Sequence, residues 1–201
     1  MPRDKTETNA KIIESMKEEF LTYGYEKASL NRVSAKVGIT TAGLYKHFRN
    51  KEDMFYFLVK DTLNAFKSLS TAGLREMESN PAYNPFDSTY SETLVDFIYE
   101  HYEGFKLLIC CSKGSVYESF EEELIRMETE TNKEYAELLK DRTDKQASLT
   151  DMEWHLLSTA YINLVSEIVR HDMPKENARE HMRFVCRFLY PGWKELLGIK
   201  E

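Results

Sequence analysis

Apolar residues recur at intervals of three and four through most of the 201-residue chain, a spacing that predicts an all-α fold of about nine helices. The first should cover about residues 6–23, with Ile12, Ile13, Met16 and Phe20 on its inner side and Gly24 stopping it. Short helices over about residues 30–37, behind a Ser29 cap, and about 41–48 come next. Asn50, with Asp53 three positions later, then opens a long fourth helix over about residues 51–77, apolar at Met54, Phe55, Leu58, Val59, Leu63, Phe66 and Leu69.

Pro81 and Pro85 mark a loop, after which a helix should run from Ser88 towards His101. Gly104 and Gly114 bracket a short apolar segment, and an acidic helix follows over about residues 117–140, with Phe120, Leu124, Met127, Tyr135 and Leu138 inward. Thr150 and Glu153 have the spacing of a capping box, so another helix starts there and continues to about Arg170. Pro174 suits the first position of the last long helix, expected to reach Leu189 before Pro191 and Gly192 break it. Leu157, Tyr161, Leu164 and Ile168 on one helix match Ala178, Met182, Val185 and Leu189 on the other, the pattern of an antiparallel hairpin. The same eight residues are candidates for half of a four-helix dimer interface, with a purely intramolecular core as the alternative.

The densest local signal lies between Gly38 and Phe48. Gly38 supplies a left-handed residue that can end one helix, Ile39 an apolar contact between helices, and Thr40 a hydroxyl to cap the next. Leu44 and Phe48, four apart, bury one side of that helix and leave Thr41, Ala42, Gly43, Tyr45 and Lys46 on or near the other. Glycine inside a short helix costs about 1 kcal/mol relative to alanine, so Gly43 implies close approach of the backbone to another molecule. This is the layout of a helix-turn-helix whose second helix meets a groove rich in hydrogen-bond acceptors.

Charge changes the picture in one respect. The chain is acidic overall, with a net charge of −7, but residues 27–51 hold Lys27, Arg32, Lys36, Lys46, Arg49 and Lys51 and no Asp or Glu. Residues 1–60 carry +3 and the remainder −10, so the positive field is confined to one end and suits a polyanion such as double-stranded DNA. Arg3 and Lys5 precede the first helix and are candidates for a minor-groove arm.

The stretch from Ile12 to about Val59 resembles the N-terminal domain of the TetR family of bacterial transcriptional regulators. The resemblance rests on Phe20, Tyr23, Gly24 and Tyr25, then Ala28 and Ser29, Val33 and Ala35, Gly38 to Phe48, and Asn50 to Asp53; its most specific part is Leu44, Tyr45, Lys46, His47 and Phe48 followed by Lys51 and Glu52. One departure is Ala42 followed by Gly43, where the family more often has glycine and then a small hydroxyl residue.

The resemblance implies that Ser29, Thr40, Tyr45, His47 and Lys51 contact phosphates, that Thr41, Ala42, Gly43 and Lys46 face the groove, and that Asn31 adds a base contact. It also implies a homodimer reading a palindromic operator, and a C-terminal pocket for a small-molecule effector. Phe97, His101, Phe105, Tyr117, Phe120, Trp154 and Tyr161 are candidates to line that pocket, with Tyr99, Tyr102 and His155 as further possibilities. The function implied is a regulator, most simply a repressor released from its operator by the effector. The alternative is a ligand-independent DNA-binding protein whose C-terminal helices bind a protein partner.

Length and composition give two domains, residues 1–50 for DNA binding and 51–201 for effector binding and dimerisation, with the fourth helix connecting them. The N-terminus lacks a basic then apolar leader and no run of about 18 apolar residues occurs, so a cytoplasmic protein is expected. Cys110, Cys111 and Cys186 have no metal-finger spacing; a redox role for the adjacent pair competes with plain apolar packing. No nucleophile elbow, phosphate loop or paired-His motif is present, and neither an enzyme nor a cofactor or metal is expected.

Overall fold

The computed structural model describes residues 5–80, 88–140 and 149–198. Pro81, Pro85 and Arg3 lie outside them. The described residues form an all-α fold: α1 (Lys5–Lys27), α2 (Leu30–Val37), α3 (Thr41–Leu44), α4 (Lys51–Ser79), α5 (Ser88–Glu100), α6 (Tyr102–Cys110), α7 (Phe120–Leu139), α8 (Asp151–Arg170) and α9 (Lys175–Leu197). No helix among them is long and apolar enough to cross a membrane.

The chain divides into two compact units that do not follow chain order. Met1–Ala65 joins His101–Ser119, and Phe66–Glu100 joins Phe120–Glu201. The first unit therefore extends past residue 50, takes the opening turns of α4, and recruits α6 from a distant part of the sequence.

In the first unit, Ile12, Met16 and Phe20 of α1, Val33 of α2, Leu44 of α3 and Met54, Phe55 and Val59 of α4 are all buried. Phe20 meets Phe55 edge to face at 5.2 Å, and each such side chain contributes about 1.5–3 kcal/mol through loss of contact with water. α6 lies flush on α4 at Gly104, where a Cβ would stand 2.7 Å from Thr62 Cβ. Gly24, at φ 71° and ψ 166°, kinks α1 rather than ending it cleanly, and the following Tyr25 N–H donates to the Cys111 carbonyl at 2.7 Å.

In the second unit, α8 packs most extensively along α7 and α9 along α5. α8 and α9 also meet, at Trp154 stacked on Trp193, at Leu157 and Leu189 beside that pair, and where the His181 ring lies 2.7 Å from the Leu164 carbonyl oxygen. Ile168, Ala178, Met182 and Val185 are fully buried within the chain itself and have no surface left for a second copy. Leu157, Tyr161, Leu164 and Leu189 are half-buried. The exposed apolar residues are instead Met152 and Leu156 on α8 and Phe184 and Phe188 on α9, the last two stacked at 6.3 Å.

One correction concerns α9, which continues through Pro191 to Leu197 and ends at Gly198, a left-handed cap at φ 68°. Proline removes one backbone donor, yet the turns beyond it bury Trp193 and Leu197 against Met77, Tyr135 and Trp154, and that packing outweighs the local cost. The Thr150–Glu153 capping box forms as expected, with both reciprocal hydrogen bonds present.

Candidate nucleic-acid interface and ligand cleft

α2 ends where Gly38 turns left-handed at φ 73° and ψ 37°, its N–H bonding back to the Ala35 carbonyl. Thr40 then caps α3, its hydroxyl accepting from the Gly43 N–H at 3.0 Å. Regular α-helix stops at Leu44, earlier than the expected Phe48. The Lys46 and His47 N–H groups reach carbonyls only three residues back, so the chain tightens into single turns before Phe48 returns to the core. Leu44 and Phe48 are buried as anticipated, and Ile39 is half-buried.

On the other side of this segment Thr40, Ala42, Tyr45, Lys46 and His47 are exposed, and Tyr45 keeps 49% of its surface in solvent. Thr41 is half-buried, and its hydroxyl donates to the Asn31 carboxamide oxygen at 2.9 Å while lying 3.2 Å from the Ser34 hydroxyl. These bonds tie α2 to α3 and leave the Thr41 methyl as its remaining group for an external contact. A Cβ at Gly43 would meet Thr40 Oγ1 at 3.4 Å and Ile39 Cβ at 3.7 Å, ordinary contact distances. Nothing inside the protein demands glycine there.

The six cations of residues 27–51 are not equivalent. Arg32 clamps the buried Glu19 carboxylate, Nε donating to Oε1 at 2.9 Å, and the same oxygen accepts the Ser29 N–H at 2.7 Å. Lys36 pairs with Glu18. Lys51 donates to the Glu26 carbonyl at 3.2 Å and lies over the Tyr25 ring at 4.8 Å; burial holds its ammonium below the usual lysine range, with Glu19 and Glu26 acting in the other direction. Lys27, Lys46 and Arg49 have side chains that are exposed and unpaired among the described residues. The Ser29 hydroxyl makes no cap bond to α2.

Glu19 was hidden from a charge count confined to residues 27–51, because it lies on α1. Its signal was its register: it falls on the stripe of Ile12, Ser15, Met16 and Phe20, where an acid must find a partner.

The second unit holds a cleft of about 50 Å³ lined by Tyr90, Glu128, Asn132, Tyr135, Tyr161 and Trp193, with Met77 and Cys186 among the others. Of the expected pocket residues, Tyr161 lines it. Trp154 is buried and stacks at 5.9 Å on Trp193, which lines the cleft, and Phe120 is buried beside Phe66. Phe97 is half-buried on α5. Phe105 and Tyr117 belong to the first unit, where Phe105 is buried and Tyr117 packs on Phe55 at 6.1 Å; His101 is the N-cap of α6 in that unit. An aromatic stripe at helical spacing is mostly core here, because aromatic bulk is what fills the space between these helices.

Cys110 is exposed, Cys111 buried and Cys186 half-buried, all as thiols; burial pushes the Cys186 thiol up, opposed by its hydrogen bond with Ser91.

The fold and the first unit define a class, all-helical chains that carry a helix-turn-helix. Residues 12–56 match the model of the family described as bacterial regulatory proteins, tetR family. An HTH-type transcriptional regulator of Staphylococcus aureus is 33% identical over 66 residues, 33% of this chain and 36% of that protein, so the match spans about a third of the relative's length. Over the whole fold the chain is similar to a TetR-like transcriptional regulator from a Rhodococcus species (TM-score 0.56, 17% identity, 95% of this chain and 96% of the other). It is similar too to the TetR family regulator PfmR from Thermus thermophilus (TM-score 0.54, 23% identity, 88% and 94%). Residues 12–56 thus match the N-terminal domain of the tetR family, and the whole chain shares the fold of TetR-like regulators.

Proposed function

We propose that the protein is a sequence-specific repressor that binds a palindromic DNA operator as a homodimer and is released from it by a small-molecule effector. The observation that carries the DNA reading is the exposed side of the α3 turn. It holds Ala42, Tyr45, Lys46 and His47 over a buried Leu44 and Phe48, with a glycine that the protein's own packing does not require. Lys46 suits guanine O6 and N7, Ala42 and the Thr41 methyl suit a thymine methyl, and Tyr45 and His47 can donate to phosphates. Ser29, with its hydroxyl not engaged in capping, and Arg49 extend the phosphate contacts.

A recognition element this short reads few base pairs, which is the physical reason for two copies spaced about one helical turn, roughly 34–36 Å, apart. The exposed Met152, Leu156, Phe184 and Phe188 supply the apolar surface for pairing, in place of the buried seam. Repression follows from occupancy alone, since a dimer on a promoter blocks polymerase without any activating surface. The cleft beside Tyr161 is the effector site in this reading.

Selection of bound fragments from random duplexes tests the whole reading. A palindrome with half-sites one turn apart is the expected product. Failure of the purified protein to retain any duplex in dilute buffer would overturn it.

A further inference from the structure

We infer that the cleft of the second unit takes a small organic cation with an apolar or aromatic body, held at Glu128 and flanked by Tyr90, Tyr135, Tyr161 and Trp193. This deepens the effector reading above and rests on it for any regulatory meaning, but the binding chemistry stands on the cleft alone.

Glu128 lies on the inner side of α7, in register with the buried Leu124, Asn132 and Tyr135. The bond that holds its carboxylate among the described residues is the Asn132 amide, donating to Oε1 at 3.2 Å; the same amide nitrogen lies 3.3 Å from the Ser158 hydroxyl. No Lys, Arg or His is among the described residues lining the cleft, so Glu128 has no counter-charge there. Removal from water pushes its carboxyl up to about 7, the Asn132 hydrogen bond working in the opposite direction. Glu128 is half-buried, and a carboxylate partly withdrawn from water with no cation beside it gains from one that enters the cleft.

The rest of the wall fixes the sign and shape of what completes it. Three tyrosines and a tryptophan offer electron-rich rings, which attract cations at about 0.5–2 kcal/mol each when water is excluded. Met77, Val185 and Leu189 add apolar surface for the body of the molecule. An anion would meet the carboxylate without relief, and a neutral molecule would leave its charge uncompensated. A metal ion would find one carboxylate where hard cations take six or more oxygens.

Three probes of nearly equal shape test the inference by quenching of tryptophan fluorescence and by calorimetry at pH 8: benzyltrimethylammonium, its uncharged carbon isostere neopentylbenzene, and the phenylacetate anion. The cation is expected to bind at least tenfold more tightly than either of the others. Glu128→Gln, which keeps the shape and the amide contact, should lose at least tenfold in cation affinity and leave neopentylbenzene unchanged. Should Glu128→Gln unfold the protein, Tyr90→Leu and Tyr161→Leu in the parent must weaken the cation more than the isostere. No binding of benzyltrimethylammonium or tetraethylammonium at millimolar concentration, or equal binding of cation and isostere, would overturn the inference.

Operator retention is measured in the same samples. Intact operator binding with no preference for the cation sinks the cation site and leaves the regulator standing. Cation binding without operator release leaves the site and removes its effector role.

Discussion

Gly43 separates folding from function more sharply than any other residue in the first unit. Its backbone is helical, a Cβ would fit beside Thr40 and Ile39, and alanine is the better helix former. Gly43→Ala should therefore leave thermal stability unchanged or raise it, by up to about 1 kcal/mol, while operator affinity falls at least about tenfold in fluorescence anisotropy. Unaltered affinity would mean that no partner approaches the backbone there. Lys46→Ala should relax preference at one base position in a panel of single-substitution operators, because Lys46 has no partner among the described residues. Lys51→Ala should weaken all duplexes alike and also lower stability slightly, since its ammonium already holds Glu26 and covers Tyr25. The caps at Gly38 and Thr40 were legible residue by residue, because capping depends on one side chain and its immediate neighbours. The Arg32–Glu19 clamp was not, since thirteen positions separate the partners and only the fold brings them together.

Element ends divide along the same line. α2 stops at Gly38 as local chemistry says it should but begins without the expected Ser29 cap bond, the Ser29 N–H going instead to Glu19, while Thr150 with Glu153 closes its box at the start of α8. α9 overrides its local signal, as Trp193 and Leu197 lie in the core beyond Pro191 and a long-range gain outweighs a local penalty. Pro191→Ala should accordingly stabilise the protein by about 1–3 kcal/mol in urea titrations, the proline being exposed and its lost donor restored. A loss of stability would show instead that the ring shapes α9. On α7, Glu128 gives a pH dependence whose sign follows from the raised carboxyl. The folded chain binds a proton that the unfolded chain has already released between the ordinary glutamate range and about 7, so stability declines as pH rises through that window. Melting temperatures of Glu128→Gln should lack that part of the decline. The titratable groups sharing the cleft are Tyr90 of α5, Tyr135 of α7, Tyr161 of α8 and Cys186 of α9, and burial pushes the Cys186 thiol up, away from that window.

For the whole molecule, the periodicity was legible as all-helical, but which helices share a core was not. α6 joins the N-terminal helices through contacts such as Gly104 on Thr62, a close approach that no spacing rule announces. Of the stripe proposed for dimerisation, Ile168, Ala178, Met182 and Val185 are covered within the chain, because spacing identifies an apolar side without saying what covers it. Replacing Phe184 and Phe188 with glutamate should give a monomer in sedimentation velocity at micromolar concentration, with melting temperature little changed and operator affinity greatly reduced. A stable dimer of that variant would place the pairing surface elsewhere. The internal pairing of Arg32 with Glu19 and Lys36 with Glu18 also bears on ionic strength. Were all six cations of residues 27–51 to displace condensed counterions in two heads, log K would fall against log salt with a slope near about −11; with Lys27, Lys46, Arg49 and Lys51 alone it should be near about −7. A DNA-binding head built this way holds its site over a wider range of ionic strength than its basic segment suggests.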